Sequence, residues 1–481
     1  VCGVIGIIST QDVVKDIHTA LFGILHRGQD ASGIMTFDGE RIHLKKGPGM
    51  ASDLYTKQDI LDLKGKIGIG HTRYPTIGDT PLDDIQPFCV NIPYTIGMCH
   101  NGNIANYYDL RKGLKQKFDR HMTSGCDVEV ILHLFANELV QDMKQKKLKE
   151  EQEIIFDAAK KTMERLNGAY STVGLIGGKG LIAFRDQYGL RPLVFGKRED
   201  GYAFCSESSV LEMLGYKEIR DVQPGEVIFI DMGYNVHSMI VLKSTPAHCM
   251  FEWVYFSRPD STIQGRSVYD ARLDLGRELA KVWIRKEKEV DVVIPVPDTS
   301  RTAALSFAQS IGKPYSEGLL KNRYIHRTFI MMTQEDRDKA MRLKITPIRS
   351  EVEGKRIAMV DDSLVRGTVS KRIIKMLREA GAKEVHLLLT CPEIKFPCYY
   401  GIDMQSRKEL IAAHKDNNEI TAEVGADSVT YITHDGLMKA IEKPLCMACL
   451  TGQYPTDINI KTIEELERKR IEDHELIAKN K

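Results

Sequence analysis

The chain has 481 residues, which at roughly 100–250 residues per domain leads us to expect two domains. It is 42% hydrophobic and 28% charged with a net charge of +1, a balance that suits a globular protein and gives no electrostatic pull toward nucleic acid or membrane. No apolar run is long enough to span a bilayer, and the first ten residues lack the basic and long apolar regions of an export signal, so the expected location is the cytoplasm. Ten cysteines in such a chain are expected as free thiols, metal ligands or a nucleophile rather than disulfides.

In chain order, residues 2–245 alternate short apolar runs with Gly, Asn and Asp turns. "CGVIGII", "KIGIGHTRY", "YTIGMCHNG", "STVGLIG", "GLIAF" and "EVIFID" predict strands. "DVEVILHLFANELVQDMKQ" and "EIIFDAAKKTMERL" predict the two longer helices. Strands followed by packed helices predict a layered domain around central sheets. Near residues 240–260 the rhythm changes. "VDVVIPVP", "KRIAMVDDS" and "EVHLLLTCP" read as buried strands, separated by the helices "AALSFAQSIG" and "SKRIIKMLREAG". That alternation predicts a doubly wound parallel sheet over 246–460. The charged stretch 461–481 reads as a surface helix or tail.

Four fragments of the first half carry a pattern: "CGVIGI", "LHRGQDASGI", "GHTRYPT" with "CHNGNIAN", and "TSGCDVEV". Alone, a cysteine in an apolar strand is ordinarily core and "HNG" is ordinarily a turn. Together and in this order they resemble the glutaminase domain of N-terminal-nucleophile amidotransferases. The resemblance implies an αββα fold, with Cys2 as nucleophile and its own α-amine, titrating near pH 8 or so, as the base. It implies Asn101 and Gly102 as the oxyanion hole, Arg73 as the fork on the glutamine carboxylate, and Asp127 as acceptor for its ammonium. Arg27 and Gln29 are expected as scaffold. "FRDQYGLRPL" at 184–193 also resembles this family, with Gln187 where proline is more usual.

In the second half, "RIAMVDDSLVRGTVSKR" places Asp361 and Asp362 at a strand end before a small-residue loop that opens a helix. Carboxylates there suit sugar hydroxyls and a hard cation, and hydroxyls with backbone N–H groups suit a phosphate. This stretch resembles the phosphoribosyl pyrophosphate (PRPP) motif of type I phosphoribosyltransferases. That implies PRPP contacts from Ser363, Arg366, Gly367, Thr368 and Ser370, and a diphosphate loop at "DTSR" with Ser300. Thr299 joins Asp361 and Asp362 as candidate Mg²⁺ contacts. The basic stretch "KNRYIHRTFIMMTQEDRDKAMRLKI" reads as a solvated loop or as a flap closing on diphosphate through Arg323, Arg327 and Lys344.

Joined, the halves resemble the glutamine PRPP amidotransferase family over nearly the whole length. The resemblance implies glutamine and PRPP as substrates, ammonia passed between two sites, 5-phosphoribosylamine as product, feedback by purine nucleotides, and a homotetramer. Cys446 and Cys449 form one C-x₂-C pair. The resemblance adds Cys249 and Cys398 and implies a [4Fe–4S] cluster, with Zn²⁺ the other chemistry open to four thiolates. Cys89, Cys99, Cys126, Cys205 and Cys391 read as core thiols. Two other readings stay open: an ammonia-dependent transferase whose glutaminase is blocked by Val1, and a non-enzymatic PRPP or nucleotide sensor. An active enzyme using the amine of Cys2 is expected to begin at that residue.

Overall fold

The computed structural model describes residues 2–74, 82–145, 150–322, 344–404, 406–458 and 468. Thirteen strands build the first half: β1 (Gly3–Ser9), β2 (Ala31–Phe37), β3 (Ile42–Pro48), β4 (Ile67–Arg73), β5 (Phe88–Val90), β6 (Ile96–Ile104), β7 (Gly168–Ile176), β8 (Gly180–Arg185), β9 (Val194–Arg198), β10 (Gly201–Cys205), β11 (Lys217–Asp221), β12 (Glu226–Asp231) and β13 (Val236–Ile240). They form two antiparallel sheets, β11-β9-β10-β1-β4-β2-β3 and β13-β12-β8-β7-β6-β5.

Alternation along each strand explains the layering. On β1, Val4 and Ile8 face the other sheet; with Met35 and Ile69 of their own sheet they pack against Cys99, Val173 and Ile228 of the second. Ile5 and Ile7 face outward and are covered by the helices Val14–Gly23 and Ser208–Met213. On the second sheet, Tyr107–Phe118, Asp127–Gln145 and Glu151–Met163 supply the outer layer. Strands covered on both faces read as continuous apolar runs, which is why they stood out in the sequence.

The second half contains a four-stranded parallel sheet, Val292–Pro295, Arg356–Asp361, Glu384–Leu389 and Ser428–Tyr431, in that spatial order. One face packs on the helices Val268–Ile284, Arg301–Ile311 and His434–Ile441. The other packs on Thr368–Glu379 and Asn417–Val424. The short antiparallel pair Leu319–Lys321 with Ile345–Pro347 brackets residues 323–343. No helix among the described residues is long and apolar enough to cross a membrane.

The halves meet across a buried ionic network. The turn Glu252–Phe256 buries Glu252 and Trp253 almost completely. Glu252 accepts from Arg27 Nη2 at 2.8 Å and from Arg191 Nη1 at 3.2 Å. Arg27 Nε also donates to Glu207 at 2.5 Å, and Arg191 reaches the Tyr400 carbonyl at 2.8 Å through Nε and 2.6 Å through Nη2. Burial works against the Arg27 cation, but Glu207 and Glu252 outweigh it and drive its pKa further up. Arg272 closes the junction by donating to the carbonyls of Trp253, Tyr255 and Ser257.

Candidate active sites

Cys2 precedes β1, and its backbone nitrogen donates to Asn101 Oδ1 at 3.1 Å. This contact fixes the amide orientation of Asn101, whose side chain is buried. Its oxygen faces Cys2, and its Nδ2 has no hydrogen-bond partner among the described residues. The Gly102 N–H follows from strand alternation. Antiparallel pairing turns the N–H groups of residues 100, 102 and 104 to the same side of β6. His100 N–H is taken by Gln86 Oε1 at 2.8 Å and Ile104 N–H by Asp127 Oδ2 at 2.9 Å. Gly102 N–H points outward between them. A side chain at Gly102 would collide with the Ala169 carbonyl, so only glycine fits.

Arg73 ends β4 and Asp127 begins the helix Asp127–Gln145. Arg73 donates to the Asp84 carbonyl and approaches Cys126 Sγ at 3.8 Å. Burial opposes its charge, but Cys126, Cys2, Asp84 and Asp127 outweigh burial and raise its pKa. Burial pushes the Asp127 carboxyl up, but His100 at 3.3 Å, the Ile104 N–H and Arg73 hold it below the usual range. The five sequence-predicted residues therefore meet at one end of the sandwich, with one cation and one carboxylate among them. Gln86, His100 and Cys126 belong to the same cluster and were missed, because no spacing rule ties them to Cys2. Cys126 is a buried core thiol, as expected, and also borders this cluster through Arg73 and Gln86. Cys89, expected as a core thiol, is exposed because β5 is an edge strand.

In the parallel domain, Asp361 and Asp362 sit at the C-terminal end of their strand and are each 8% exposed. Thr299 Oγ1 donates to Asp362 Oδ2 at 2.5 Å, Ser363 Oγ to Asp362 Oδ1 at 2.6 Å, and Ser300 Oγ to Asp361 Oδ1 at 3.4 Å. Burial and the neighbouring Asp362 push the Asp361 carboxyl well up. Asp362 is pushed up by burial, against the bonds from Ser363 and Thr299 and the charge of Arg272. Gly367 adopts φ 74° and turns the chain into the helix Thr368–Glu379, so the N–H groups of its first turn, from Thr368 to Ser370, face the loop. Arg366 is turned to Glu409, which it holds by an ion pair. Lys344 stands beside Asn322, whose N–H donates to its carbonyl at 2.8 Å. Arg323, Arg327 and Val1 lie outside the described residues.

Four cysteines gather beside the junction. Cys249 and Cys446 are direct partners in a short parallel pair. Cys449 lies in the helical turn Ala448–Thr451, and Cys398 Sγ accepts the Tyr400 N–H at 3.4 Å. All four are buried and within electrostatic reach of one another. Burial pushes the Cys249 thiol up to about 11 and those of Cys446 and Cys449 further still. Cys391, expected to lack such partners, lies within reach of Cys249 and Cys449. Among the described residues no three His, Cys, Asp or Glu side chains are grouped closely enough to share one metal ion.

Residues 71–213 match the family model for a glutamine amidotransferase domain, and 265–428 that for a phosphoribosyl transferase domain. The sandwich and the parallel sheet are thus the two halves of a glutamine-dependent phosphoribosyl transferase. Full-length similarity narrows this class. The chain is 44% identical to an amidophosphoribosyltransferase of Methanocaldococcus jannaschii, across 96% of this chain and 99% of that one. It is 47% identical to one of Pyrococcus horikoshii, across 94% and 96%. A solved Bacillus subtilis glutamine PRPP amidotransferase, complexed with ADP and GMP, superposes with a TM-score of 0.85 at 37% identity, across 95% and 98% of the two chains. The chain belongs to the amidophosphoribosyltransferase family. It is an enzyme, a pentosyltransferase with glutamine amidotransferase activity that catalyses the first step of purine biosynthesis.

Proposed function

We propose that the two sites divide the reaction as follows. Cys2 sulfur attacks the side-chain amide carbon of glutamine. Asn101 Nδ2 and Gly102 N–H take up the charge on the tetrahedral oxygen. The Cys2 amine accepts the thiol proton and returns it to the leaving ammonia. Arg73 grips the substrate carboxylate and Asp127 its ammonium. Water then hydrolyses the thioester to glutamate. Ammonia attacks C1 of PRPP, the C1–oxygen bond to diphosphate breaks, and 5-phosphoribosylamine and pyrophosphate result. The observation that carries the first half is the 3.1 Å contact that leaves Asn101 Nδ2 open beside Cys2. Because the shuttle needs a free amine, the active form begins at Cys2. Intact-mass measurement of fully active enzyme tests this, and retention of Val1 would contradict it.

In the second half, Asp361 and Asp362 hold the ribose hydroxyls, and the loop Ser363, Arg366, Gly367, Thr368 and Ser370 receives the 5′-phosphate. Ser300, Arg323, Arg327 and Lys344 serve the diphosphate. Two adjacent carboxyls, both raised by burial and Asp361 also by the charge of Asp362, fit a divalent cation, so Asp361, Asp362 and Thr299 would hold Mg²⁺, directly or through PRPP. Magnesium supplies neutralisation of the leaving diphosphate.

Cys249, Cys398, Cys446 and Cys449 would hold a [4Fe–4S] cluster of structural role. A single Zn²⁺, with sulfurs at about 2.3 Å from one point, is the other chemistry open to four thiolates. Iron, sulfide and zinc analysis decides between them. Purine nucleotides as inhibitors, a homotetramer, a cytoplasmic location and domain limits of 2–245 and 246–460 complete the reading. Glutamate release assayed with and without PRPP tests the whole: release that rises with PRPP is expected. Synthesis from ammonium with none from glutamine would overturn the coupled reaction.

A further inference from the structure

The oxyanion strand is half supported by its own domain. β5 pairs with β6 only at residues 96–98, through Val90↔Ile96, Cys89↔Gly97 and Phe88↔Met98. From Cys99 to Ile104, β6 has β7 on one side and, among the described residues, no strand on the other. Side chains stand in for the missing neighbour at His100 and Ile104, through Gln86 and Asp127. At Gly102 and Asn103 the neighbour comes from the other half of the molecule. Asn103 Nδ2 donates to the Tyr399 carbonyl at 2.8 Å. Gly401, at φ 93°, lies so close that a Cβ built on it would stand 2.9 Å from the Gly102 carbonyl oxygen and 3.1 Å from its carbon. Tyr399 is fully buried, and the Tyr400 carbonyl is clamped twice by Arg191.

We propose that Tyr399–Gly401, a segment of the phosphoribosyl domain, is the positioning element that completes the glutaminase oxyanion hole. It braces Gly102 from its carbonyl side, and because the N–H and C=O of one residue point to the same side of an antiparallel strand, it sets where the Gly102 N–H faces the developing oxyanion. A donor that acts on the transition state contributes little to ground-state binding, so its misplacement lowers kcat and leaves KM in place. The glutamine clamp is held by other groups, Arg73 by Asp84 and Asp127 by His100 and the Ile104 N–H, and the pair Asp361 and Asp362 is held by Ser300, Thr299 and Ser363.

The inference rests on the assignment of Asn101 and Gly102 as oxyanion donors. Gly401→Ala in the full-length enzyme is expected to lower the glutaminase kcat at least about tenfold, since displacements near 1 Å have large effects on such geometry. The KM for glutamine and ammonia-dependent synthesis should stay within about twofold of the parent. Asn103→Ala should act in the same direction by a few-fold or so. Should Gly401→Ala not fold, Asn103→Ala carries the decision. An unchanged glutaminase kcat in the folded variants overturns the inference, as does a parallel loss of ammonia-dependent synthesis. Asn101→Ala separates the two layers. If it abolishes glutaminase while Gly401→Ala is inert, only the positioning role fails; if Asn101→Ala is itself inert, the oxyanion assignment fails.

Discussion

The two active sites are built on opposite electrostatic terms. Around Cys2, every charge has its counter-charge in place: Arg73 faces Asp84 and Asp127, and Asp127 also faces His100. At Asp361 and Asp362, two buried carboxyls sit side by side, and hydroxyls with a nearby Arg272 do not offset their burial. The first site is organised before substrate arrives. The second is left short of positive charge, which the proposed Mg²⁺ and the loop residues proposed for PRPP would supply. A preorganised site tolerates loss of substrate but not of its hydrogen bonds; a charge-frustrated site behaves in the reverse way.

The sharpest test of this contrast removes each site's core. Asp361→Asn with Asp362→Asn is expected to abolish synthesis from both glutamine and ammonium, while the thermal midpoint of the free enzyme stays level or rises because the repulsion is gone. A lower midpoint would contradict the charge-frustrated description. Cys2→Ala should abolish glutamine-dependent synthesis alone and leave ammonium as a nitrogen source. At the junction, Glu252→Gln leaves Arg27 and Arg191 short of an anion and should cost about 3–5 kcal/mol in denaturant unfolding. Next in size, Asn101→Ala should lower the glutaminase kcat by about 10²–10³ with little change in KM.

The smallest effect concerns Glu129, which braces the turn before Asp127. Its carboxylate accepts from the N–H and hydroxyl groups of Thr123 and Ser124. Burial pushes its carboxyl up, but His133, Ser124 and Thr123 outweigh that and bring it to about 2. The folded value lies below the unfolded one, so this stabilisation is present above about pH 4.5 and is lost as pH falls toward 2. The stability difference between the parent and Glu129→Gln should therefore shrink over that window in unfolding experiments; a constant difference would contradict the role.

Much of this was legible in the chain. The strands at "CGVIGII" and "KRIAMVDDS" appear where their apolar runs fall, because burial on both faces leaves a continuous signature. Cys2, Arg73, Asn101, Gly102 and Asp127, quoted from separate fragments of the chain, lie together at one end of the sandwich. What stayed hidden is contact between distant segments. Nothing near "HNG" announces Gln86 or Cys126, and Arg27 in "LHRGQ" gives no hint of Glu207 or Glu252. Such partners are set by tertiary packing, and local spacing carries no record of them. Gly401 is the plainest case: in sequence it is one glycine among 38, and its role depends on a strand 299 residues away in the chain (401 − 102).

The ionic junction has a consequence for how this molecule can be divided. Arg191 belongs to the first half, yet its anion and its carbonyl acceptor, Glu252 and Tyr400, both lie in the second. A gene cut at the boundary near residue 245 would yield a first half with a stranded guanidinium on a newly wetted face, and a second half with a stranded carboxylate. Two sites that resemble independent modules are thus inherited as one piece, and neither is a free-standing part for recombination with other partners.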